Sequence, residues 1–269
     1  MGTRTRHVRV TVHARLTQRS GFGPELIDGS VALQSAHRRV VAAMVAMVLL
    51  VVGGPAATSQ AADEKVPLGG GAGIVVNGDS TCTLTSIGTD NTGALTGFTS
   101  AHCGGPGAVV AAEAAQDRGT VGTMVAGNDS LDYAVIRFDP AKVTPVANFN
   151  NFPINGIGPD PAVGQVVCKD GRTTGTSCGV TFGPGQDPGT LVAQLCGQPG
   201  DSGGPVTSNG MLVGMIHGAF SENLPGCITK YIPLHTPAVV VSINAVLADL
   251  AAKGRPGAGF VPVGTASAT

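Results

Sequence analysis

Residues 119–138 read Gly-Thr-Val-Gly-Thr-Met-Val-Ala-Gly-Asn-Asp-Ser-Leu-Asp-Tyr-Ala-Val-Ile-Arg-Phe. Two strand-length apolar segments, 119–125 and 133–138, flank a stretch of turn-forming residues, Gly127-Asn128-Asp129-Ser130. The pattern predicts two strands joined by a short connection. It recurs along the chain at 74–76, 95–99, 165–168, 190–195, 211–216 and 228–232, with Gly, Asn, Asp and Pro between. Even spacing of short strands predicts an all-β sandwich or barrels. A Pro/Asn/Gly-rich stretch at 148–161 divides the strands into two groups and reads as an interdomain connection. One segment departs from the pattern. Val239, Val240, Ile243, Val246, Leu247 and Leu250 share one helical face, bounded by Pro237 and Gly254, which predicts a helix over 238–252.

Composition agrees with this class. Of 269 residues, 41 are Gly, 18 are Pro and only 12% are charged. Low charge with 42% hydrophobic residues excludes global disorder. A net charge of −1 excludes a nucleic-acid binder that works by overall basicity. The charge is unevenly placed. In residues 1–39, seven arginines against Glu25 and Asp28 leave +5. In residues 62–269, nine basic against fifteen acidic residues leave −6.

The boundary between these parts has the form of an export signal. His37-Arg38-Arg39 precedes an uncharged apolar run at 40–52, and small residues follow up to Ala61. As a helix the run spans roughly 20 Å, short of a hydrocarbon core of about 30 Å. The expectation is a signal cleaved after Ala61, with Ala56 as the alternative site and a retained anchor as the alternative fate. The Arg-rich residues before the signal fit a start codon placed too far upstream. Between Ala61 and Gly69 there is no room for a folding pro-segment. Cys82, Cys103, Cys168, Cys178, Cys196 and Cys227 all lie beyond the signal. An even count in an exported chain predicts three disulfides, with fifteen possible pairings. No Cys-x-x-Cys unit is present, so neither a metal site nor a cofactor is expected.

Three local sequences carry chemistry: Thr99-Ser100-Ala101-His102-Cys103, Asp132-Tyr133-Ala134-Val135-Ile136 and Gly200-Asp201-Ser202-Gly203-Gly204-Pro205. Singly, each has an ordinary structural use. Together they supply a hydroxyl nucleophile, a base to activate it and a carboxylate to orient the base. Small residues around Ser202 let backbone N–H groups converge on a developing oxyanion. The order His102, Asp132, Ser202 is contrary to the Ser…Asp…His order of α/β-hydrolases, which disfavours an acyl or ester hydrolase of that kind.

With these motifs the chain resembles the chymotrypsin-like serine peptidases over residues 69–252. It is most similar to the bacterial secreted branch that includes streptogrisins and α-lytic protease. The resemblance implies two perpendicular six-stranded antiparallel β-barrels and a C-terminal helix. It places a first barrel at 69–150, a second at 151–236 and the helix at 237–253, after the extension and signal at 1–61. It implies a secreted endopeptidase acting on polypeptides as a monomer, with membrane contact only during export and no nucleic-acid partner.

Ser202 is then the expected nucleophile, His102 the base, Asp132 its orienting group, and the N–H groups of Gly200 and Ser202 the oxyanion hole. The implied disulfides are Cys82–Cys103, Cys168–Cys178 and Cys196–Cys227. Asp201 is expected to turn inward onto Lys169, with a solvated Lys169 as the alternative. Two departures bear on the site. The substrate-pairing strand reads His217-Gly218-Ala219 where the family has Ser-Gly-Gly or Ser-Trp-Gly, which sets a second imidazole beside Asp132. Only Ile-Thr-Lys separates Cys227 from Tyr231, in a segment that normally forms a pocket wall. A small or medium apolar side chain is the expected pocket occupant. A binding protein with weak or no proteolysis is the alternative function.

Overall fold

The computed structural model describes residues 64–265. The basic extension, apolar run and cleavage site expected within 1–61 lie outside the described residues. The chain order is β1 (Val66–Leu68), β2 (Gly73–Val76), β3 (Ser80–Thr83), β4 (Ser86–Thr89), β5 (Leu95–Thr99), β6 (Val109–Ala112), β7 (Thr120–Asn128), β8 (Tyr133–Phe138) and β9 (Val143–Pro145). There follow β10 (Asn148–Phe149), β11 (Phe152–Pro153), β12 (Val166–Lys169), β13 (Ser177–Pro184), β14 (Thr190–Ala193), β15 (Pro205–Ser208), β16 (Met211–Ala219), β17 (Ala238–Ser242), α1 (Ile243–Lys253) and β18 (Val261–Pro262).

The first lobe is one antiparallel sheet in the order β18-β4-β5-β8-β7-β6-β2-β3. Strands β3 and β4 lie near its opposite edges, yet only Leu84 and Thr85 separate them in sequence. The sheet must therefore curl until those edges meet. Backbone bonds from Leu84 N–H to Ala72 (2.8 Å) and from Gly71 N–H to Leu84 (2.8 Å) continue the β2–β3 pairing up to this turn. The second lobe is a closed six-stranded barrel, β12-β13-β14-β17-β16-β15.

The expected all-β architecture of two barrels with a C-terminal helix is thus met, and the second lobe is the six-stranded closed one. The first is a curled eight-stranded sheet, whose last strand, β18, is added beside β4 by the chain returning after the helix. The expected helix over 237–253 is also shortened. Ala238–Ser242 is a strand between β14 and β16, and the helix begins at Ile243. Branched Val239, Val240 and Val241 favour the pleated backbone, and the Ser242 hydroxyl caps the helix by accepting from Ala245 N–H. The expected strand at 228–232 is absent. That segment is an exposed loop, with Ile228 88% exposed. Asn148–Phe149 and Phe152–Pro153 form a small hairpin inside the expected connection.

Strand β8 shows how the apolar run serves two cores. Ala134, Ile136 and Phe138 point into the first lobe, while Tyr133 and Val135 point the other way, as the two-residue period of a strand requires. The second face joins Phe98, Leu212, Met215, Val241, Ile243, Val246, Leu250 and Phe260 in a core that strands of both lobes, α1 and the returning tail all enter. Val167, Leu195, Val206, Val213 and Val240 fill the second barrel. Leu250→Ala should remove fully buried side-chain volume from the shared core and cost about 2–5 kcal/mol. A fall in urea midpoint with unchanged m-value is the expected result, read by circular dichroism.

Candidate active site

His102 sits on a single helical turn, Ala101–Cys103, directly after β5. The Cys82–Cys103 disulfide ties this turn to β3. Asp132 stands just before β8 with φ +48°, a left-handed conformation that Asp tolerates. Its carboxylate reaches across to the His102 turn. Oδ1 accepts the His102 backbone N–H (2.9 Å), and Oδ2 pairs with His102 Nδ1 (2.8 Å). The same Oδ2 also pairs with His217 Nδ1 (2.5 Å). A β-bulge between Ile216 and Gly218 re-aims His217 toward Asp132.

Asp132 is 9% exposed, whereas the two imidazoles are 46% and 44% exposed. Burial alone would raise the Asp132 pKa. Hydrogen bonds from His102 and His217 outweigh it and hold the carboxylate below its ordinary range. The Asp132 bond raises His217 above the ordinary histidine value, against the opposing effect of burial. An ionised carboxylate only accepts, so both Nδ1 atoms carry the protons. In the neutral His102 ring, Nε2 is then left as a free base.

Ser202 follows Gly200 (φ +97°) and precedes Gly203 (φ +81°). Any side chain at Gly203 would press on Thr99 and Thr83, with contacts of 2.3–2.4 Å from its Cβ. The serine loop is thus packed against the strand that leads to His102. Ser202 C=O accepts from Thr83 N–H (2.9 Å), and Gly203 N–H donates to Ile216 C=O (2.8 Å). The Asp201, Gly203 and Gly204 N–H groups all donate within the loop or to Ile216. Those of Gly200 and Ser202 make no hydrogen bond among the described residues. No hydrogen bond joins the His102 ring to Ser202 Oγ among the described residues; such contacts often tighten only when substrate is bound.

Beneath this loop, Asp201 and Lys169 are fully buried, with Nζ 3.1 Å from Oδ2. Asp201 Oδ2 also accepts from Gln198 N–H (3.0 Å) and from the Thr174 hydroxyl (2.6 Å). Its Oδ1 accepts from the backbone N–H groups of Thr173 (2.9 Å) and Thr174 (3.1 Å). Burial pushes the Asp201 pKa up. The Lys169 charge and these hydrogen bonds outweigh burial and hold it below the ordinary carboxylate value. Thr173 further donates to Pro199 C=O (2.8 Å). The two threonines escaped the sequence reading. Their only signal was hydroxyls in the short loop between Cys168 and Cys178, which are bonded, as are Cys196 and Cys227.

A cavity of about 330 Å³ opens beside Ser202. Leu195, Ile216, Gly218, Ala219, Thr236, Pro237 and Ala238 line it, and no charged side chain does. The short segment at 228–230 forms no part of its wall. Thr236–Ala238, where β17 begins, stands there instead.

No protein-family model matches the chain. Streptogrisin-C of Streptomyces griseus is 30% identical over 187 residues, covering 62% of this chain and 38% of that protein. Serine protease 2 of Streptomyces fradiae is 29% identical over 167 residues, covering 56% of this chain and 94% of that protein. The chymotrypsin of Cellulomonas bogoriensis superimposes with a TM-score of 0.55 at 25% identity, covering 74% of this chain and all of that one. The chain is thus similar, in sequence and in fold, to the streptogrisin branch of the chymotrypsin-like serine peptidases. This streptogrisin-like chain spans well under half the length of streptogrisin-C. Its three disulfides fit an extracellular protein.

Removing Lys169 would leave Asp201 as a buried, uncompensated charge. Lys169→Ala should cost about 3–5 kcal/mol in stability and disorder the serine loop. Asp132 and Asp201 ionise more readily folded than unfolded. Each therefore stabilises the fold above the ordinary carboxylate range and ceases to do so as pH falls through its folded-state value. Stability should climb from about pH 2 to about pH 5 in the wild type, and less steeply in Lys169→Ala. Urea unfolding across that range measures both effects.

Proposed function

We propose that the protein is an exported serine endopeptidase in which Ser202 attacks the peptide carbonyl. His102 takes the serine proton through Nε2 and returns it to the leaving amine. Asp132 holds His102 in the required tautomer and stabilises its charged form. The N–H groups of Gly200 and Ser202 receive the oxyanion, and water then hydrolyses the acyl-enzyme. The observation that carries this reading is the Asp132–His102 pair, which keeps the proton on Nδ1 and the lone pair on Nε2. Supporting it are the unoccupied N–H donors beside Ser202 and the buried clamp on Asp201.

The substrate is a polypeptide, met by a monomer. The uncharged pocket takes a small or medium apolar side chain before the scissile bond. Export proceeds through the apolar run at 40–52, with cleavage after Ala61 placing the enzyme in the oxidising exterior that its disulfides need. A catalytically weak binding protein on the same fold is the second reading. The altered substrate strand, His217-Gly218-Ala219, favours it.

A fluorophosphonate probe separates the two. Labelling of the wild type and its loss in Ser202→Ala is the expected outcome. His102→Ala and Asp132→Asn should each lower turnover by several orders of magnitude. Pairing them should add little, because the three residues act as a unit. A wild type that does not label is the binding protein.

A further inference from the structure

His102, Asp132 and His217 come from three separated parts of the chain, so no local metal-binding spacing announces them. In the fold their ligand atoms lie within 4.8 Å of one another. Two imidazole nitrogens converge on one carboxylate oxygen, at 2.8 and 2.5 Å. The rings stand edge to face, with centroids 5.9 Å apart, so neither blocks the other's nitrogen. We propose that these three residues bind a divalent transition-metal ion of the Zn2+, Co2+ or Cu2+ class, which takes the catalytic imidazole and carboxylate out of use. The binding claim stands on geometry; its consequence for activity rests on the peptidase reading.

Two nitrogens and one carboxylate oxygen form the donor set that borderline transition metals prefer over Mg2+ or Ca2+. Three protein ligands and one open position are the usual arrangement around a zinc ion that keeps a water. Both rings are nearly half exposed, which gives the ion an entry path and the water its place. Metal–ligand distances of about 2.0–2.1 Å set tetrahedral donors about 3.3 Å apart. Each nitrogen must therefore withdraw from Oδ2 by less than about 1 Å, a shift available to exposed rings. The other carboxylate oxygen is already held by the His102 backbone N–H, which orients Asp132 as outer-shell bonds orient metal ligands.

Charge favours the same occupant. The Asp132 carboxylate is nearly buried between two imidazoles, and Asp187 adds a further negative charge that acts on His217. On binding, the Nδ1 proton of each neutral imidazole moves to Nε2, Nδ1 takes the metal, and the dication offsets the charges of Asp132 and Asp187. The ordinary family serine at position 217 would offer a weak hydroxyl ligand in place of an imidazole. This histidine is what converts an orienting carboxylate into a chelate.

The test uses the full mature chain carrying Ser202→Ala, which cannot digest itself. Titration with Co2+ alone should develop the visible bands of four- or five-coordinate cobalt at one equivalent, and Zn2+ should displace them. Added singly, His217→Ser and His102→Ala should each weaken binding at least tenfold. Both side chains are substantially exposed, and circular dichroism checks that the variants fold. If Co2+ keeps its hexa-aquo spectrum, or if both variants bind as the parent does, the site does not exist. In the wild type, Zn2+ should block fluorophosphonate labelling and EDTA should restore it. Labelling that persists at saturating Zn2+ would overturn the inhibitory role. A metal-free wild type that fails to label defeats the peptidase reading, while the cobalt titration still decides the site.

Discussion

Asp201 is a carboxylate with no access to water, and the serine loop is built around keeping it charged. Lys169 supplies the counter-charge, and Thr173, Thr174 and Gln198 supply the hydrogen bonds. Buried ion pairs contribute little net stability, because desolvation offsets the attraction. What this one contributes is position. These bonds fix the side chain of the residue directly before Ser202 and tie it to the loop between Cys168 and Cys178.

That loop functions only if the two lobes hold register, and the shared core provides this. Phe98 and Val135 from the first lobe meet Leu212, Met215 and Val241 from the second, with α1 packed against them. The tail then crosses back. Phe260 stacks edge to face on Phe98 at 4.7 Å, Arg255 donates to Gly127 C=O, and Gly257 N–H reaches Asp90. The tail therefore bridges the shared core, running from β17 through α1 to the edge of the first sheet. His102 and Asp132 on one lobe and Ser202 on the other are held by the same apolar contacts that stabilise the fold.

His217 changes the chemistry of the carboxylate it shares. A serine hydroxyl would offer Asp132 one neutral hydrogen bond. An imidazole offers a bond plus a titratable charge and a metal-seeking nitrogen. Two imidazoles share one carboxylate oxygen, so the placing of the His102 ring depends on a residue of β16.

Sequence alone carried the all-β class, most strands, the family resemblance and the three chemical motifs. These are local properties: alternating apolar residues, turn formers and short motifs whose spacing is written in the chain. Ala238–Ser242 misled because Val239 and Val240 fit a helical face as well as a strand, and only the gap between β14 and β16 decides between them. β18 was illegible because two residues acquire strand character only from the edge they meet. The segment at 228–232 looked like a strand, yet no partner edge reaches it. Thr173, Thr174 and the shared Asp132–His217 contact belong to tertiary structure. They bring together atoms up to 85 residues apart, and hydrogen bonding acts over distances that no sequence separation encodes.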